Sequence, residues 1–116
     1  MTKEKQINVI ELQDEFNKGS LTIIDVREPI ELEICKIADS ISIPLNRISS
    51  KLDMFDRAKK YAIICHSGYR SHIATEYLNQ CGFNCYNVKG GIDAWAKKID
   101  KAMNCLLYTS DAADDP

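Results

Sequence analysis

The stretch YAIICHSGYRS, residues 61–71, decides how this chain is read. Tyr61 to Ile64 form a short apolar run of the kind that is buried on both faces of a parallel sheet. The run ends on a thiol, Cys65. Three small or turn-forming residues follow (His66, Ser67, Gly68), then Tyr69, the cation Arg70 and Ser71. From Ser71 the period changes. SHIATEYLNQCG places Ile73, Ala74, Tyr77, Leu78 and Cys81 on one helical face, and Gly82 stops it. The unit is a strand, a tight loop and a helix expected to begin near Arg70 or Ser71.

The same alternation runs through the chain. INVIELQDEFNKGS (7–20) is a helix with marked ends. Asn8 and Glu11 have capping-box spacing, Ile7 and Leu12 staple spacing, Val9, Leu12 and Phe16 form the inner stripe, and Gly19 ends it. LTIID (21–25) is a strand, EPIELEI (28–34) a short helix with Pro29 in its first turn, and SISIP (40–44) a strand stopped by Pro44. LNRISSKLDMF (45–55) puts Leu45, Ile48, Leu52 and Phe55 on one helical face. NCYNV (84–88) is a strand, KGG (89–91) a tight turn, and IDAWAKKI (92–99) a helix with Ile92, Trp95 and Ile99 inward. Strands alternating with helices over short connections give an α/β domain with a mainly parallel sheet.

Bulk properties exclude several classes. A chain of 116 residues makes one domain and buries enough surface to need no disulfide staples. Its formal charge of −2 gives no electrostatic footprint for nucleic acid or an anionic membrane. No apolar run approaches the length of a membrane span, and the first ten residues lack a signal-peptide h-region, so the expected location is cytoplasmic. Five cysteines (Cys35, Cys65, Cys81, Cys85, Cys105) without Cys-x-x-Cys or zinc spacing argue against a disulfide framework and a structural metal. No cofactor is expected. After Leu107 periodicity ends. Residues 105–116 read either as an acidic disordered tail or as non-native sequence, since 105–114 resemble a translated transposase-end sequencing adapter; the second reading is preferred.

Ligands of an open α/β sheet bind outside the carboxyl ends of its strands, where Cys65 lies. The amides of the first turn of the following helix have no intrahelical acceptor, and the helix dipole adds positive potential there. A loop wrapped around the thiol makes an anion cradle, with Gly68 supplying an unusual backbone angle and Arg70 closing the ring with planar donors. A free thiol is only a few per cent thiolate at pH 7, and each of these groups favours the thiolate. Cys65 is therefore the expected nucleophile, with Arg70 beside it. The alternative is a cysteine merely packed at a strand end. Cys81 continues an apolar helical stripe and Trp95 has core-facing spacing, so both are read as packing residues.

The segments IIDVREP (23–29), CHSGYRS (65–71), LNQCGF (78–83) and NVKGGIDAW (87–95) together resemble the rhodanese-like sulfurtransferase superfamily over about residues 6 to 99. The resemblance implies a single domain with a five-stranded parallel sheet flanked by helices on both faces. It implies ping-pong sulfur transfer through a Cys65 persulfide held by the loop His66, Ser67, Gly68, Tyr69, Arg70 and Ser71. The donor would be thiosulfate or a small persulfide, and the acceptor a small thiol or a protein thiol. Asp25 and Arg27 match the family's Asp-x-Arg; Asp25 is read as an orienter and Arg27 as part of a positive rim, with a strand-end ion pair as the alternative. Four residues separate Cys65 from Arg70, the spacing of sulfurtransferases; related phosphatases and arsenate reductases have one more. Two departures stand out. In CKIADSISIP (35–44), Cys35, Lys36 and Asp39 replace the family's Gly, His and second Gly, and His66 occupies a position where a basic residue is usual. His66 is left open between a proton carrier and a solvent-facing loop residue. A persulfide carrier that serves a partner protein with little turnover is the competing function; a phosphatase or arsenate reductase is disfavoured by the loop length.

Overall fold

Tyr61, Ala62, Ile63 and Ile64 are all buried, as a strand covered on both faces requires. They belong to the middle strand of a parallel sheet in the computed structural model, which describes residues 5–103. The strands are β1 (Gln6–Ile7), β2 (Thr22–Asp25), β3 (Ile41–Ser42), β4 (Lys60–Ile64) and β5 (Asn84–Val88), in the order β1-β5-β4-β2-β3. Every pairing is parallel. The helices are α1 (Val9–Asn17), α2 (Pro29–Ile34), α3 (Tyr69–Gln80) and α4 (Gly91–Lys98), with 3₁₀ segments at Leu45–Ser50 and Leu52–Met54. Among the described residues no helix is long and apolar enough to cross a membrane. The tail assigned to 105–116 lies outside the described residues.

The period-two alternation of strands sorts the core into two layers. Ala62, Ile64, Ile23 and Val88 pack with Val9 and Leu12 of α1 and Ile92 and Trp95 of α4. Tyr61, Ile63, Cys65, Ile24 and Cys85 pack with Ala74 and Leu78 of α3 and with Ile48 and Phe55. Cys65 is thus delivered to the α3 side by the parity of β4. Helix α1 begins at the expected capping box: the Glu11 amide donates to Asn8 Oδ1 (2.8 Å) and the Asn8 amide to Glu11 Oε1 (3.1 Å).

Three expectations are corrected. Residues 45–55 do not form one amphipathic helix. The two 3₁₀ pieces are separated at Lys51 (φ −119°, ψ 20°), and Ser50 Oγ returns a hydrogen bond to the Arg47 carbonyl at 2.9 Å, the local competition that disfavours a continuous helix. On α3, Ile73 and Tyr77 are exposed; the inner stripe is Ser71, Ala74, Thr75 and Leu78, whose smaller side chains bring the helix close to the strands. Finally, Arg27 is not part of a positive rim; the alternative, a strand-end ion pair with Asp25, is what forms. It and Asp25 are both fully buried. The guanidinium forks onto the carboxylate (Nε to Oδ1 3.0 Å, Nη2 to Oδ2 2.9 Å), and Asp25 Oδ1 also accepts the Arg27 amide at 3.0 Å. Arg27 Nη2 further donates to the Cys35 carbonyl at 2.7 Å, tying the end of β2 to the end of α2. The Arg27 charge is offset by the Asp25 carboxylate, and its side chain is not exposed to solvent.

Removing one member of a buried pair strands the other charge. Asp25→Ala is expected to lower unfolding stability by about 3–5 kcal/mol in urea titration; a loss below about 1 kcal/mol would show the pair to be incidental.

Candidate active site

Cys65 follows β4 directly and is fully buried at the sheet's carboxyl edge. Its Sγ accepts the Gly68 amide at 3.1 Å and the Ser71 amide at 3.3 Å, and lies 3.3 Å from Ser71 Oγ. Ser71 is the third residue of α3, which begins at Tyr69, slightly earlier than the sequence suggests. Gly68 precedes the helix and has no side chain with which to cap it, so the sulfur takes the position of an N-cap acceptor. Gly68 has φ +124°, outside the range of ordinary residues, and this turn swings its amide back toward Sγ.

The other side of the loop is fixed by α4. The Ile92 amide donates to the Cys65 carbonyl at 2.8 Å and the Asp93 amide to the His66 carbonyl at 3.0 Å. Two first-turn amides of α4 thus find acceptors, and two loop carbonyls are held away from the sulfur. The approach is so close that a Cβ on Gly91 would overlap both carbonyl oxygens. His66 is buried, which removes the solvent-facing reading, whereas Ser67 and Tyr69 are exposed.

Arg70 does not point its terminal nitrogens into an open cradle. Nη1 lies 2.6 Å from Glu31 Oε1 and Nη2 2.9 Å from Oε2, a bidentate bridge between the loop and α2. Burial by itself would raise the Glu31 carboxyl. The Arg70 hydrogen bonds, the Glu28 amide and the Arg70 and Arg27 charges outweigh it and hold the group below its ordinary value. Glu31 was missed in the sequence, where only its helix-start position and its place three residues after Glu28 hinted at a role. Asn87 was missed too. It is a buried polar side chain on β5, on the α3 side like Cys85, and it accepts from Ser71 Oγ (2.5 Å) while its Nδ2 donates to the Gly68 carbonyl (3.3 Å). Its one signal was a polar residue at the inner end of a strand. Asp25 and Arg27 stay with each other at the end of β2. Cys85 is buried, and burial pushes its thiol up to about 12, far from a working nucleophile.

Gly91→Ala is expected to cost about 3 kcal/mol or more by overpacking. Gly19→Ala, where a Cβ meets nothing within 4 Å, should cost only the backbone strain of φ +75°, about 1 kcal/mol. Equal losses in thermal unfolding would refute the docking role of Gly91. The depressed Glu31 carboxyl gives a second test. Its ionised form is favoured in the folded chain, so this stabilisation is complete above the ordinary value of 4.5 and is lost as pH falls through the lower folded value. The stability advantage of the wild type over Glu31→Gln, measured in urea, should shrink on going from about pH 7 to about pH 3; an advantage that grows with acid would contradict the bridge.

The chain is similar to known proteins over most of its length. The Rhodanese-like domain family matches residues 8–98. The putative sulfurtransferase YtwF of Bacillus subtilis is 36% identical over 92 residues, which cover 78% of this chain and 89% of that protein. The crystal structure of a rhodanese-related protein from Thermoplasma volcanium superposes with a TM-score of 0.77 at 41% identity, covering 82% of this chain and 93% of that one. The adenylyltransferase and sulfurtransferase MOCS3 of Drosophila virilis is 29% identical over 109 residues, 86% of this chain, but the match spans only 24% of that longer protein. Fold and relatives agree, and the chain belongs to the rhodanese-like domain family, among relatives named as sulfurtransferases.

Proposed function

We propose that this chain moves sulfane sulfur from a small donor, such as thiosulfate or a low-molecular-weight persulfide, to a thiol acceptor through a persulfide on Cys65. The observation that carries the reading is the position of Cys65 Sγ at the N-terminus of α3, accepting two backbone amides. Fixed donors aimed at a sulfur stabilise negative charge there and cost no reorganisation during the reaction.

With thiosulfate the steps balance as follows. The Cys65 thiolate attacks the outer sulfur of the dianion. The bond from that sulfur to the sulfite sulfur breaks, sulfite leaves with the electron pair, and Cys65 carries a persulfide anion. An acceptor thiolate then attacks the outer sulfur, the S–S bond to Sγ breaks, and the Cys65 thiolate returns while the acceptor becomes a persulfide. This is nucleophilic catalysis with a covalent intermediate. The main-chain groups of His66, Ser67, Gly68, Tyr69 and Ser71 form the wall around the transferred sulfur, and Arg70 holds that wall to α2 through Glu31. Asp25 and Arg27 support the site from the end of β2 without touching the sulfur. The loop, with four residues between Cys65 and Arg70, favours a single sulfur over a phosphate.

Intact-mass analysis after incubation with thiosulfate, and separately with a glutathione persulfide, should show a gain of one sulfur atom on the wild type and none on Cys65→Ser. Addition of a small thiol should then discharge it repeatedly. No gain with either donor would sink the sulfur-transfer reading, and loading without repeated discharge would identify a carrier in place of an enzyme.

A further inference from the structure

Asn87 faces Ile63 across the β4–β5 ladder, two residues before Cys65 in the β4 register, and is buried. Its amide orientation follows from its partners. The Gly68 carbonyl only accepts, so Nδ2 must face it at 3.3 Å, which turns Oδ1 toward Ser71 Oγ at 2.5 Å. Oδ1 has no hydrogen. The single hydroxyl hydrogen of Ser71 therefore lies between Ser71 and Asn87. Ser71 Oγ is also 3.3 Å from Cys65 Sγ, and toward the sulfur it then presents only lone pairs. In this arrangement the Cys65 thiol is the donor, S–H to Oγ. A thiolate has no hydrogen to donate. To receive a hydrogen bond from Ser71 it must draw the hydroxyl hydrogen away from Asn87, leaving a buried carbonyl oxygen unmatched.

We propose that Asn87 is a positioning residue for the sulfur-transfer reaction: acting through Ser71, it competes with the Cys65 thiolate for one hydroxyl hydrogen. The functional meaning rests on the persulfide reading above; the competition itself does not. Once Sγ is bonded to a second sulfur, the negative charge resides on the outer atom, and the Ser71 hydrogen returns to Asn87. The pair thus disfavours the empty thiolate relative to the loaded site. Only an O–H rotation is involved, so no proton changes owner in this step.

The test is the rate of Cys65 alkylation by iodoacetamide against pH, followed by mass mapping, in a double-mutant cycle of Asn87→Ala and Ser71→Ala. In the Ser71 background, Asn87→Ala frees the hydroxyl for the thiolate. Relative to the same change made in Ser71→Ala, it should move the profile about one unit toward lower pH, or about tenfold in rate at neutral pH, the value of one hydrogen bond to a charged group. Any effect of a loosened Gly68 carbonyl is common to both backgrounds and cancels. Equal shifts in the two backgrounds, or a difference of opposite sign, would overturn the proposal. If Asn87→Ala does not fold, Asn87→Asp keeps the shape with a stronger acceptor. Its profile should move toward higher pH, and by less in Ser71→Ala; equal movement would again overturn it. A cycle with the expected coupling in a protein that never gains sulfur would sink the transfer reading alone.

Discussion

A sulfur atom caps a helix in this protein, and most of the site follows from that. Gly68 cannot cap α3 with a side chain, so Cys65 Sγ receives the Gly68 and Ser71 amides. A helix N-terminus prefers an acceptor that carries negative charge. The requirement that stabilises the helix start is therefore the same one that stabilises a thiolate or a sulfur-bearing anion. It also explains why Cys65 counts among the core residues of the α3 layer: β4 must run directly beneath the helix start for the sulfur to reach its amides.

One fully buried and one partly buried ion pair keep this geometry in place. Asp25–Arg27 fastens the end of β2 to the end of α2, and Glu31–Arg70 fastens α2 to the loop. Both use arginine in its planar, two-pronged mode, which fixes orientation as well as distance. Each charge is answered locally. The donors that meet the Cys65 sulfur are therefore oriented amides, while the two guanidinium groups are engaged by carboxylates.

What the sequence disclosed depended on how far apart the interacting residues lie. The capping box of α1 joins residues three apart, and the loop from Cys65 to Arg70 is a run of six between a strand and a helix, so both elements were readable. Glu31 and Arg70 are 39 residues apart, and Ser71 and Asn87 are 16 apart. Nothing local in their spacing announces the contact. β1 has two residues, too few for an alternation to register. Helix α3 carries two competing stripes, and packing selected the one with Ala74 and Thr75 over the more apolar one with Ile73 and Tyr77. At Asp39 the backbone has φ +68°, a left-handed conformation that Asp tolerates better than most side chains, and the sequence gives no local sign of it.

The docking of α4 on the Cys65 and His66 carbonyls makes loop length a shared property of two distant segments. A seventh residue inserted after Cys65 would carry the His66 carbonyl away from the Asp93 amide and leave both buried groups unpaired. The Gly90–Gly91 turn would have to be rebuilt in the same step. A change in loop length next to Cys65 is thus coupled to the turn before α4, and it calls for paired changes at residues 65–66 and 89–93.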